Sequence, residues 1–146
     1  MKMKFKLLLV VLGMFMLTLL GCTKREGRAI VIKGTSTASP KPGTLTGTFV
    51  ATGAFNTHGA GEMVVVPNGE DSIHCTYKLT APEGDFQMVM DCENPPGMTG
   101  VWKIISGTGF YSGMKGHGTL VMMFPPDVPT GVISEETMTG EVWLRW

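Results

Sequence analysis

Charge is scarce in this chain of 146 residues: Asp, Glu, Lys and Arg together make up 16% of it, against about a quarter in an ordinary soluble domain. Positive charge is the scarcer sign in the C-terminal two-thirds. From Thr44 onward only Lys78, Lys103, Lys115 and Arg145 are basic, against eleven acidic residues, a net charge of −7. That argues against a nucleic-acid-binding surface, which needs a basic patch or stripe. Cysteine is scarce too, with Cys22, Cys75 and Cys92 the whole set and no C-x-x-C among them. His58, His74 and His117 form no H-x-x-x-H pair, so metal-ligand spacing finds no support and the histidines read as exposed turn or strand residues. Ser112 lacks the G-x-S-x-G context of a hydrolase elbow. Glu62, Asp85, Asp91 and Glu93 form no paired-carboxylate motif, and Glu135 and Glu136 would sit on opposite faces of a strand, solvated. No catalytic residue, metal or cofactor is assigned on these grounds.

Long hydrophobic runs are confined to the N-terminus. "MKMKFK" is a positive leader, and "LLLVVLGMFMLTLLG" is an uncharged apolar run of fifteen residues ending at Cys22. This is the anatomy of a signal peptide. As a helix the run would reach about 22 Å, short of a hydrocarbon core of about 30 Å. Its ending, "LLGC", resembles the lipobox of bacterial lipoproteins, with Leu19 and Gly21 in place and Leu20 larger than usual. The resemblance implies cleavage after residue 21, diacylglycerol on the Cys22 thiol, and acylation of the new amino terminus. Several acyl chains hold a protein to a bilayer without a spanning helix, at about 0.8 kcal/mol per buried CH2. Thr23, rather than Asp, follows the cysteine, so the outer membrane is the expected address in an organism with two membranes. Residues 22–43 carry Lys24, Arg25, Arg28, Lys33 and Lys41 among small polar residues, Lys-Pro and Pro-Gly. They read as a lipidated, flexible linker, with a short edge strand at Ile30–Ile32 as the alternative.

Helical periodicity is absent from the rest, and alternation with period two takes its place. In "SIHCTYKLT" the residues Ile73, Cys75, Tyr77 and Leu79 share one face; in "FQMVMDC" so do Phe86, Met88, Met90 and Cys92. "APEGD" between them closes a hairpin. A turn centred on Glu83-Gly84 sets Cys75 opposite Cys92, Tyr77 opposite Met90, Leu79 opposite Met88 and Ala81 opposite Phe86. With Cys22 taken by lipid, this register predicts a Cys75–Cys92 disulfide in an oxidising compartment; two buried thiols are the alternative. Further strands are expected at 46–54, 62–66, 100–106, 118–124 and 138–145. The methionines of the mature chain, Met88 and Met90 among them, read as flexible core filling. Seven or eight short strands without a helix predict an all-β domain at 44–146, a small antiparallel barrel or a sandwich.

Glycine, by contrast, is plentiful at 20 residues, and "SGTGFYSGMKGHGTL" concentrates five of them. Ser112 stands where the third glycine of G-x-G-x-x-G belongs, and Met114 rather than glycine precedes Lys115. A strand-like "HGTLVMMF" follows instead of a helix, so no phosphate cradle is expected. Gly113 suits a turn with positive φ, and Gly116 and Gly118 leave room for Trp102 or Tyr111. Together with "GTFVATGAFNTHGAG", "GVWKIISGTGFYSGMKGHGTL" and "TMTGEVWL", the pattern resembles the small bacterial barrels related to allene oxide cyclase and dirigent proteins. That resemblance covers roughly residues 44–146 and implies a small antiparallel barrel, with no catalytic residue to carry over. The combined expectation is a membrane-anchored lipoprotein whose barrel is a non-enzymatic binding or envelope module, with a small apolar ligand in or at the mouth of the barrel. The alternative is an isomerase or cyclase acting on a lipid-derived substrate, favoured by a polar group inside the barrel; a purely structural role follows if no cavity exists.

Overall fold

The computed structural model describes residues 26–93, 98–124 and 131–145. They form eight strands: β1 (Arg28–Ala38), β2 (Thr44–Gly53), β3 (Thr57–Pro67), β4 (Ser72–Ala81), β5 (Gly84–Glu93), β6 (Met98–Gly107), β7 (Lys115–Met123) and β8 (Val132–Trp143). Each strand is antiparallel to the next, and β8 pairs back onto β1 to close the barrel. Closure removes every free strand edge. The expected signal peptide and Cys22 lie outside the described residues.

Alternation explains the wall. Ile30, Ile32, Phe49, Met63, Tyr77, Leu79, Phe86, Met88, Met90, Trp102, Ile104, Leu120, Met122, Met138 and Val142 all point inward and are buried, while Lys, Thr and Glu at the intervening positions face water. Trp102 lies across the interior over Gly140, where a Cβ would sit 2.6 Å from its ring. Its Nε1–H donates to the Thr119 carbonyl at 3.0 Å. Two bulges interrupt the ladder, one between β5 and β6 at Gln87/Met88 and one between β1 and β8 at Ser36/Thr37.

β1 corrects the expected boundary at residue 44. The segment read as linker, with at most a short edge strand, becomes a full strand from Arg28, hydrogen-bonded on both sides to β2 and β8. Its inward residues are Ile30, Ile32, Gly34 and Ser36. Only two of those four are apolar, because the second half of the strand faces a bulky phenol and a carboxylate and must be small. β3 and β8 likewise begin earlier than expected, at Thr57 and Val132.

The β4–β5 hairpin corrects the register. Ala81 pairs with Gly84, so Pro82-Glu83 alone form the turn, and the whole ladder shifts by two residues. Cys75 faces Met90, Cys92 faces Ile73, Tyr77 faces Met88 and Leu79 faces Phe86. A two-residue shift keeps every side chain on its own face, so hydrophobic matching cannot tell the two registers apart. Gly84 has φ +142, and a Cβ there would meet the Thr108 carbonyl oxygen at 2.3 Å. Cys75 and Cys92 are free, buried thiols in a diagonal relation rather than a disulfide.

The two ends of the barrel differ. One is plugged by aromatic rings, Phe55 from the β2–β3 connection, Tyr111 from the β6–β7 connection and Phe86 from the start of β5: Phe55 packs on Phe86 and Tyr111, with centroids 6.1 and 5.1 Å apart, and Phe86 packs on Tyr111 at 4.9 Å. Glu83 ties this plug together, accepting from Thr57 Oγ1 at 2.9 Å and Tyr111 Oη at 3.3 Å. The glycine-rich stretch belongs to this end. It forms a three-residue 3-10 turn at Gly109–Tyr111, then turns at Gly113 with φ +71 into strand β7. No helix follows it, as the sequence implies. At the other end, where β1, β3, β5 and β7 finish, no such cluster of rings occurs among the described residues.

Candidate functional site

At the unplugged end the inward positions are Leu45, Val65, Ile73, Met98 and Met122. With Ala38, Pro42 and Phe124 they line a cleft of about 440 Å³, with Lys41 at its rim. Its volume falls in the range of small-molecule sites, about 300–1,000 Å³. A larger depression of about 590 Å³ lies against the outer wall, beside Asp91, Glu93, Thr99, Thr119 and Val121. Its lining is mixed, with Asn68 and Ser72 beside those carboxylates and Val101 beside Val121.

Beneath the cleft the barrel holds a polar cluster inside its apolar core. Met122, which lines the cleft, pairs across the β7–β8 ladder with Glu136. Glu136 is 1% exposed. Ser134, also buried, donates from Oγ to Glu136 Oε1 at 2.5 Å. Tyr77 reaches the same place from β4, its ring passing over Gly61. A Cβ at Gly61 would lie 2.5 Å from that ring, and a Cβ at Gly34 would lie 2.6 Å from Glu136 Oε2 and 3.1 Å from the Tyr77 hydroxyl. Two strands therefore carry glycine so that a phenol and a carboxyl can meet over β1. Glu136 Oε2 and Tyr77 Oη have no hydrogen-bond partner among the described residues.

Burial sets the protonation of the cluster. It raises the Glu136 carboxyl above its ordinary value, with the hydrogen bond from Ser134 and the nearby Ser36 hydroxyl offsetting part of the rise. Tyr77 is raised by burial and then by the neighbouring Glu136, with the Ser36 hydroxyl acting the other way. Burial pushes the Cys75 thiol up to about 12, helped by Cys92, Asp91 and Glu136. It pushes Cys92 up to about 11, with Asp91 adding to the rise. Both cysteines are held as thiols and are poor nucleophiles. Chemically the cluster can hold a proton, or pass one between a carboxyl and a phenol, shielded from water.

The residues singled out from the sequence fall elsewhere. His58 is exposed on β3; His74 lies on the outer wall, its Nδ1 2.6 Å from Asp91 Oδ1; His117 lies outside, stacked on Trp143 at 5.2 Å. They do not converge, and no cluster of three metal-ligating side chains occurs among the described residues. Glu135 is exposed as expected, whereas Glu136 is a correction: it is sealed in the core rather than solvated. The signal was present in "VISEETMTGEVW". Ser134 and Glu136 share a face with Met138 and Val142, and that apolar company marks the face as inward.

Comparisons with known proteins give no match: no family model, no curated protein and no solved structure matches the chain.

Proposed function

We propose that this chain is a lipid-anchored envelope protein whose barrel binds a small apolar ligand in the cleft at its unplugged end. The observation that carries the reading is the cleft itself, of ligand size and walled by Leu45, Val65, Ile73, Met98 and Met122, above an otherwise packed interior. Two flexible methionines in the wall suit a site that adapts its shape to an apolar guest. The lipobox-like "LLGC" and the resemblance of the glycine pattern to small bacterial barrels support the extracytoplasmic, anchored part of the reading. The ligand sits at the mouth, because core side chains fill the interior. Titration of the full chain with the neutral apolar dye N-phenylnaphthylamine tests this. Saturable fluorescence enhancement is expected, and Leu45→Trp, which fills the cleft, abolishes it. Equal enhancement in both proteins refutes the site.

A second reading is favoured by one observation, the buried carboxyl of Glu136 beside Tyr77. In an isomerase or cyclase, Glu136 held neutral would donate a proton to an apolar substrate admitted past Met122, and Tyr77 would hydrogen-bond the developing oxyanion. Glu136→Gln leaves dye binding intact in both readings but abolishes turnover only in this one.

A further inference from the structure

We infer that the plugged end of the barrel is a docking surface for the anionic face of its own anchoring membrane, which points the ligand cleft away from the bilayer. The inference rests on the lipid anchor at Cys22 and adds an orientation to it. Chain geometry carries the argument. Because β1 starts at Arg28 and is paired with both β2 and β8, the tether cannot lengthen without opening the barrel. Gly27 already lies against the Trp143 ring, where a Cβ would be 2.8 Å from it. From Cys22 to Gly27 the extended chain spans at most about 18 Å. An 11-residue strand such as β1, tilted as barrels require, makes a wall about 28 Å high. An inverted barrel, with the cleft on the bilayer, would hold Gly27 farther above the surface than the anchor can reach.

Charge points the same way. The rim of the cleft end carries Glu70, Asp71, Glu93 and Glu135 against Lys41, which an anionic surface repels. The plugged end carries Arg28, Lys115 and Arg145 against Glu26, Glu83 and Glu141, together with the ion pair Lys78–Asp85, and Lys24 and Arg25 stand immediately before it in the sequence. Phe110, 40% exposed at the tip of the β6–β7 connection, and Trp143, half-buried and stacked on His117, add rings of the kind that settle at a headgroup interface. The ligand would then enter the cleft from the aqueous side, not from the bilayer that holds the protein.

The test uses the full chain purified from membranes and placed in phosphatidylglycerol-rich vesicles whose lipids are brominated near the headgroup end of the acyl chain. Intact mass first establishes whether Cys22 is diacylated. With acylation present, tryptophan emission is expected to be quenched. The Lys115→Glu/Arg145→Glu variant should lose most of that quenching, each basic side chain removed costing roughly fivefold in the docked population. A tryptophan introduced at the other end, Lys41→Trp, should add unquenched emission. An acylated protein that shows no quenching, or quenching only of the Lys41→Trp reporter, overturns the surface and leaves the anchor standing. A full-length mass without diacylglycerol overturns the anchor, and the orientation with it.

Discussion

Replacing Glu136 with Gln isolates the effect of the buried carboxyl. The side chain keeps its shape and can still accept from Ser134, but it can no longer ionise. In the wild type the folded-state value of Glu136 is raised above the ordinary 4.5 by burial. Between the unfolded and folded values the native state therefore holds a proton that the unfolded chain has lost. Stability is fully present below about pH 4.5 and falls as pH rises, until the folded value is passed. One proton sets the limiting slope, about 1.4 kcal/mol per pH unit. Above that window the wild type also carries a charge whose Oε2 has no partner, and the variant should be the more stable by about 1–3 kcal/mol. Urea unfolding followed by circular dichroism, run on both proteins from pH 4 to pH 9, reads the difference directly. Glu83, whose value is lowered by hydrogen bonds from Thr57 and Tyr111, affects both proteins alike and cancels. The expected result is near-equal stability at pH 4 and a gap in favour of Glu136→Gln that opens as pH rises and then levels off. A constant gap, or a variant less stable throughout, refutes the assignment of Glu136 as a buried neutral acid.

Other substitutions follow from the same packing. Gly34→Ala puts a methyl 2.6 Å from Glu136 Oε2 and 3.1 Å from Tyr77 Oη, and calorimetry should show a loss of about 1–3 kcal/mol. Ile32, fully buried on β1, should cost about 2–5 kcal/mol when changed to Ala; a neutral outcome would return β1 to the status of a linker. Cys75 and Cys92 should resist a thiol reagent in the native protein and both react once it is unfolded, whereas a disulfide would leave neither reactive without reductant.

The barrel was legible where alternation set apolar against polar residues, as in β4 and β5, whose inward faces were read correctly. It was illegible in β1 because Gly34 and Ser36 are inward residues chosen for size, with Tyr77 supplying bulk from across the interior and Glu136 from the neighbouring strand β8. The register of the β4–β5 hairpin was hidden by symmetry: either turn placement leaves Cys75, Tyr77 and Leu79 inside. Only the close approach of the Thr108 carbonyl to Gly84 marks the observed one. Glu136 was readable from its neighbours Met138 and Val142 but was outweighed by its charge and by Glu135 beside it. The cleft was not readable, because its walls, Leu45, Val65, Ile73, Met98 and Met122, come from five strands and meet only once the barrel closes.

Native mass spectrometry of the full chain, extracted from membranes in mild detergent, tests the central claim most directly. The account predicts a non-covalent adduct of one small apolar molecule per chain, lost on denaturation and absent from Leu45→Trp. A ligand-free mass for the wild type, unchanged after incubation with an envelope lipid extract, would contradict it.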